Sequence, residues 1–328
     1  MVGEKLRIRE LMLEISTHIK IKRAGELTAE WRKHLGREYR LIGHNDRHIE
    51  ARIPEAYWDQ LLELTGMVRG KSSNTPEASS KSKLDEEQYH PLNNEHHSLY
   101  RAAVGKLLWT VNERPDIAFS VKELARSCQS PRLSDWKKLE HVLRYIRGSK
   151  DMVLKLIANS DEDLESFNLT VHTDADWSNT RSTSGGVIHL NGTLLQAWSR
   201  TQNQTALSSC ESEFYAIVTG VTETMFIRSI LNELEPMKSR QVQVKVYTDS
   251  TSAMQLAQRQ GVGRVKHLNI RKLFVQDLVK EGVVTIHRVS TDGNVADSFT
   301  KRLPVAVFQR HYRTLGLRQE EAVSDPSQ

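Results

Sequence analysis

Cysteine is nearly absent: Cys128 and Cys210 are the only two in 328 residues. Without paired spacing they argue against a disulfide scaffold or a cysteine zinc site, and they suit a reducing compartment. No apolar run approaches the roughly 20 residues a membrane span needs, and the N-terminus lacks a signal-peptide pattern. An intracellular location, cytoplasmic or nuclear, with no membrane partner, is therefore expected. On that reading Asn168-Leu-Thr, Asn191-Gly-Thr and Asn203-Gln-Thr are chance sequons. A strong excess of one charge is also lacking. Lys+Arg 46 against Asp+Glu 41 leaves +5, which fits a nucleic-acid partner without establishing one. Finally, no two aspartates are adjacent anywhere in the chain.

What is present has two grammars. Up to about residue 160 the pattern is charged and helix-rich. Leu6 to Ile21 has near-helical apolar spacing, and Leu35–Gly43 with His48–Ile53 reads as two strands around a polar turn. Pro54 suits the first turn of a helix to Gly66. His44 and His48 straddle the turn, where a solvated loop is the commoner explanation than a metal site. Residues 71–92 read as a polar linker with little core potential. Helices are expected over Glu95–Asn112, Pro115–Ser127 and Ser134–Arg147, the last with an apolar stripe that core packing explains.

From about 165 the pattern alternates. Asn168–Asp174, Gly185–Leu190 and Thr193–Ser199 read as an antiparallel meander, with Asn191-Gly as a hairpin turn. A long helix over Cys210–Leu234 follows, then strand Gln243–Asp249 and a helix capped by Ser250. Helix His267–Glu281, strand Val283–Val289 and a helical end broken at Pro304 complete a mixed-sheet α/β domain. Asp174 and Asp249 end strands, where open α/β sheets put their sites. Glu213 and Asp297 lie on elements that can pack at the same edge. Four converging carboxylates stay ionised only with cations beside them, and hard divalent ions take such oxygen ligands.

These residues carry a family resemblance. Thr173-Asp-Ala-Asp-Trp, Arg181-Ser-Thr-Ser-Gly-Gly, Ala197-Trp-Ser-Arg, Ala206-Leu-Ser-Ser-Cys-Glu-Ser-Glu-Phe-Tyr-Ala and Tyr247-Thr-Asp-Ser resemble the RNase H domain of copia-type retrotransposon Pol polyproteins. So do Lys266-His-Leu-Asn-Ile-Arg and Val295-Ala-Asp-Ser-Phe-Thr-Lys-Arg-Leu-Pro. The resemblance implies an RNase H-like mixed five-stranded sheet with flanking helices over 165–317. It implies a catalytic and metal-binding set of Asp174, Glu213, Asp249 and Asp297, holding two Mg2+ ions, with Mn2+ as a possible substitute. Glu211, two residues from Glu213, is the competitor; the Glu-aromatic-Ala pattern favours Glu213. Candidate contacts to nucleic acid are Arg181, Arg200, Ser208, Ser209, Lys266, His267, Lys301 and Arg302.

Upstream, Leu35-Gly-Arg-Glu, Thr75-Pro, Tyr100-Arg-Ala-Ala-Val-Gly-Lys-Leu-Leu-Trp and Arg114-Pro-Asp-Ile-Ala-Phe resemble the end of the reverse transcriptase. This implies a reverse-transcriptase remnant over 1–70, a helical connection region over 93–160, and a disordered tail over 318–328. Without adjacent aspartates, polymerase activity is not expected. The implied activity is cleavage of the RNA strand of an RNA–DNA hybrid, with the rest of the Pol polyprotein as partner. The alternative is a non-catalytic nucleic-acid-binding remnant. Two departures from the family pattern stand out. Gly186 replaces an aromatic residue, and the loop before Asp297 has no histidine, leaving Asp292 or Thr291 in its place. His287, in a strand pattern, is expected to pack.

Overall fold

The fold was taken from a computed structural model, which describes residues 5–18, 20, 25–43, 48–77, 89–157, 166–233, 241–259 and 271–320. The C-terminal unit is built on β5 (Ser166–Asp176), β6 (Thr183–Leu190), β7 (Thr193–Thr201), β8 (Gln241–Thr248) and β9 (Val284–Arg288). Their order is β7-β6-β5-β8-β9. The first three pair antiparallel and β5, β8 and β9 run parallel. This is a mixed five-stranded sheet with flanking helices, as expected over 165–317. Alternation in β5 sends Leu169 and Val171 into a core completed by Phe214, Ile217 and Val221 of α6 (Ser209–Glu233). Among the described residues α6 alone is long and apolar enough to cross a membrane, yet its buried face packs on this sheet. Helices α7 (Thr251–Gln258) and α8 (Arg271–Lys280) flank the parallel strands, and Ser250 caps α7 by accepting from the Ala253 N–H.

Two glycines explain how β6 fits. A Cβ on Gly185 would lie 2.8 Å from the carbonyl oxygen of Ala296, and one on Gly186 would lie 2.0 Å from Cζ2 of Trp198. The missing aromatic at 186 is thus supplied from the neighbouring strand, since Trp198 pairs with Gly186 and fills its space. Gly186→Ala is expected to destabilise the protein by about 1–3 kcal/mol through overpacking, read from denaturant unfolding; an unchanged midpoint would contradict the fit.

The preceding region has the two strands and the helices expected, with further strands beside them. It has a second, antiparallel five-stranded sheet, ordered β1 (Arg32–His34), β2 (Arg37–Ile42), β3 (His48–Arg52), β4 (Met152–Ile157) and β10 (Leu317–Gln319). Helices α2 (Glu55–Leu64), α3 (Asn94–Thr110), α4 (Ala118–Arg126) and α5 (Leu133–Arg147) form its core; α1 (Lys5–His18) precedes them. Strand β4 and the three-residue β10 were not read from the sequence. Both exist by pairing with partners far away in sequence. The tail expected from 318 therefore begins as a strand, and 321–328 lie outside the described residues. Helix α9 (Val305–Thr314) also joins the first unit, placing Phe308 in its core. The two units share a cluster in which Met152 and Leu154 meet Val187, Phe299 and Leu317. The described ends of the 71–92 stretch are docked: Arg147 donates to the carbonyls of Met67, Arg69 and Lys71, and the Leu92 N–H to that of Pro131.

The C-terminal strand is held by buried charge. Glu50, 1% exposed, accepts from Arg40 at 2.7 Å and from Arg318 at 3.1 Å. His48 is no solvated loop residue: it is buried at 3.0 Å from Arg318; His44 lies outside the described residues. Burial pushes the Glu50 carboxyl up, but the Arg318 and Arg40 hydrogen bonds outweigh it and hold it below its ordinary value of 4.5. Its stabilisation is therefore present above pH 4.5 and is lost as pH falls through the lower folded value. The melting-temperature gap between wild type and Glu50→Gln is expected to shrink on acidification through that range. A gap constant with pH would overturn this.

Candidate active site

Parallel pairing of β5 with β8 sets His172 opposite Tyr247. Two residues further along each strand, Asp174 and Asp249 come side by side, at the roughly 4.8 Å spacing of adjacent strands. The first turns of α6 cross this edge and add Glu213. One ligand oxygen from each of Asp174, Glu213 and Asp249 lies within 4.8 Å of the others. The fourth acid comes from the turn Val295–Phe299, which the bare backbone of Gly185 admits against β6. Asn294 anchors that turn: its Nδ2 donates to the Thr173 carbonyl at 3.0 Å, and its Oδ1 accepts from the Ala296 N–H. All four expected acids thus meet at one sheet edge.

The two glutamates have different partners. Glu211 turns back to its own helix start, accepting from the Leu207 N–H at 2.9 Å and the Tyr215 hydroxyl at 2.7 Å. Glu213 instead faces the aspartates, and its Oε2 is buried without a hydrogen-bond partner. Asp297 Oδ1 is likewise orphaned. Its Oδ2 accepts from the Lys301 ammonium at 2.9 Å, which stands 3.8 Å from Asp174 Oδ2. The Thr300 hydroxyl donates to that same Asp174 oxygen.

Burial first, and the charges of Asp174 and Asp249 next, push the Glu213 carboxyl up to about 9. Burial, then the Asp174 charge, raises Asp297 to about 7. Asp174 is raised by burial, against the pull of Lys301 and the Thr300 hydroxyl. Without an added cation the cluster cannot be fully ionised at neutral pH. An all-oxygen donor set with orphaned buried oxygens suits a hard divalent ion such as Mg2+ or Mn2+. Asp174, Glu213 and Asp249 fit that role as they stand; Asp297 already holds an ammonium.

The other expected residues disperse. Arg181 is exposed in the loop after β5. Arg200 pairs with Glu223 beside the Trp198 ring, on the α6 flank. Ser208 accepts from the Glu211 N–H and so starts α6, and Ser209 is the first residue of that helix. Lys301 turns inward to the acids, while Arg302 is exposed on the next residue. Lys266 and His267 lie outside the described residues. His287 is exposed and stacks on Tyr247 at 5.4 Å, so its strand position does not bury it.

Several residues escaped the sequence reading. Gln202 is buried and donates to Ser184 Oγ and the Ser212 carbonyl, both at 2.8 Å, locking β7 to the start of α6. Trp177 donates from Nε1 to the Ala206 carbonyl and leaves its ring 43% exposed beside the strand end. A histidine does approach the loop before Asp297, but from α9. His311 is 2% exposed and meets Ser298 Oγ at 3.1 Å and the Asp292 carbonyl at 3.2 Å. Both ring nitrogens are engaged, so its place is structural. Only Asn294, a capping residue type ahead of a turn, left a signal in the sequence.

No family model matches the chain. It is 29% identical over 301 residues to the Retrovirus-related Pol polyprotein from transposon RE2 of Arabidopsis thaliana, covering 86% of this chain and 20% of that one. It is also 29% identical over 273 residues to that from transposon TNT 1-94 of Nicotiana tabacum, covering 80% and 20%. The chain thus spans about a fifth of the length of the curated relatives it matches. Among solved structures, LC11-RNase H1 isolated from compost matches at 15% identity and a TM-score of 0.33, covering 42% of this chain and 94% of that one.

Proposed function

We propose, from its similarity to copia-type retrotransposon Pol polyproteins, that this chain is a metal-dependent ribonuclease H. It hydrolyses the RNA strand of RNA–DNA hybrids, and works inside the cell with the remainder of the polyprotein. The observation that carries this reading is the meeting of Asp174, Glu213 and Asp249 within 4.8 Å, with a buried glutamate oxygen left unpartnered.

Asp174, Glu213 and Asp249 would hold a divalent ion, which would supply an activated water and a counter-charge for the leaving oxygen. The chain's own part is to hold the acids ready. Thr300 fixes the Asp174 rotamer by its hydrogen bond, Gln202 fixes the helix start that carries Glu213, and Asn294 fixes the turn of Asp297. Such positioned support is what metal ligands need to keep their geometry. Arg181, exposed in the loop after β5, is proposed to hold a phosphate, a contact that orients the duplex without reading its sequence. Strand choice follows from the 2′-hydroxyls, which only the RNA strand presents. Adjacent aspartates being absent, polymerisation is not part of the proposal.

The test is cleavage of a hybrid carrying end-labelled RNA, with Mg2+ or Mn2+ and with chelator. RNA cut only in the presence of metal is the expected result. Salt-sensitive binding with no cleavage in either metal would replace this reading with that of a non-catalytic binding remnant.

A further inference from the structure

The Lys301 ammonium lies where a cation is needed and is not where a surface lysine belongs. Its side chain is 41% exposed, but its Nζ reaches inward to two buried acids of the cluster, 2.9 Å from Asp297 and 3.8 Å from Asp174, whose side chains are 5% and 3% exposed. The reach is built by the backbone. The N–H groups of Thr300 and Lys301 both donate to the Asp297 carbonyl at 3.2 Å, closing a turn that sets Lys301 one helical turn beyond the acid. Thr300 from the same turn holds the facing Asp174 oxygen. One side of the cluster thus has a counter-charge from within the chain. The other side, Asp174 with Glu213 and Asp249, has its oxygens gathered and no basic side chain between them among the described residues.

We propose that Lys301 is a built-in cation occupying the Asp174–Asp297 half of the site, so that the substrate-free chain binds one divalent ion rather than two. This rests on the metal-site reading above and narrows it. Two positive groups cannot share Asp297 Oδ2 without repulsion, so a second ion must displace the ammonium from a contact that burial strengthens. Lys301 is then a positioning residue that bridges Asp297 and Asp174 and offsets their mutual repulsion, and not the phosphate contact its sequence setting suggests.

Mn2+ binding to the full chain, counted from the electron-paramagnetic-resonance signal of the free ion in the absence of nucleic acid, tests this. Wild type is expected to bind one ion. Lys301→Met should bind two, the second at least tenfold tighter than any second ion in wild type. Lys301→Arg, which restores the charge, should return to one, and Asp249→Asn should lose the single wild-type ion. Lys301→Gln serves in place of Lys301→Met if the latter does not melt cooperatively. Two ions of similar affinity in wild type, or a single ion in both neutral variants, would overturn the role of Lys301 alone. No ion bound by wild type, or an ion retained in Asp249→Asn, would instead overturn the metal site on which the proposal rests.

Discussion

Replacing Asp174 by asparagine is expected to lower RNA-strand cleavage by at least about 10³-fold, the scale of losing a preorganised charge in a reacting centre. Hybrid binding should be unchanged or slightly tighter, because a negative charge facing phosphates is removed. The substitution is nearly isosteric, and the Thr300 hydroxyl can still donate to the amide oxygen, so the fold should persist. Asp174 is the member of the cluster with the most partners: it lies near Glu213 and Asp249 on one side and Lys301 on the other. Cleavage by this variant within about tenfold of wild type would remove the carboxylate cluster from the mechanism. Loss of cleavage together with loss of a cooperative melt would be uninformative for chemistry. For that reason a second substitution, Asp249→Asn, should be measured beside it and give the same separation of cutting from binding.

The second large effect is structural. Asp116→Ala is expected to cost about 3–5 kcal/mol, because it leaves a buried guanidinium without its counter-charge. The side chains of Arg114 and Asp116 are 1% and 0% exposed and meet at 2.8 Å. Arg114 also donates to the Ser149 carbonyl and hydroxyl at 2.8 Å, and the Tyr145 hydroxyl donates to Asp116 at 2.7 Å. Burial alone would favour loss of the Arg114 proton, but the Asp116 charge outweighs it and raises the guanidinium further. At a few degrees per kcal/mol for a protein of this size, the melting temperature should fall by roughly 10 °C. Replacing both residues together with apolar ones of similar volume should restore much of the loss. A single-variant loss below about 1 kcal/mol would mean the pair is not buried in solution.

This pair shows what a motif can hide. Arg114-Pro-Asp-Ile-Ala-Phe marked a family resemblance, and its charges look like surface residues beside a helix start. Packing by Trp58 and Tyr145, distant in sequence, makes them a core bridge. Gly186 is a second case: its departure from the family's aromatic residue looks like a weakness until Trp198 is seen to occupy the space.

The amino-acid sequence by itself determined the positions of β5 to β7, the long helix α6, the strand-end placement of Asp174 and Asp249, and the resemblance to copia-type Pol polyproteins. Each of these is local, written in period or in a contiguous motif, and local signals survive without knowledge of the neighbours. Tertiary structure alone decided the rest. It set Glu213 beside the aspartates and turned Glu211 back to its own helix start, a difference of partners between two residues of one helix. It turned Lys301 from the solvent to the acids, and carried β10 across the chain to pair with β4. It also filled the place beside the last acid's loop with His311 from α9, already fully bonded. These outcomes depend on which distant groups come within hydrogen-bonding reach, and on the energy of burying charge beside them. No window of sequence contains that information.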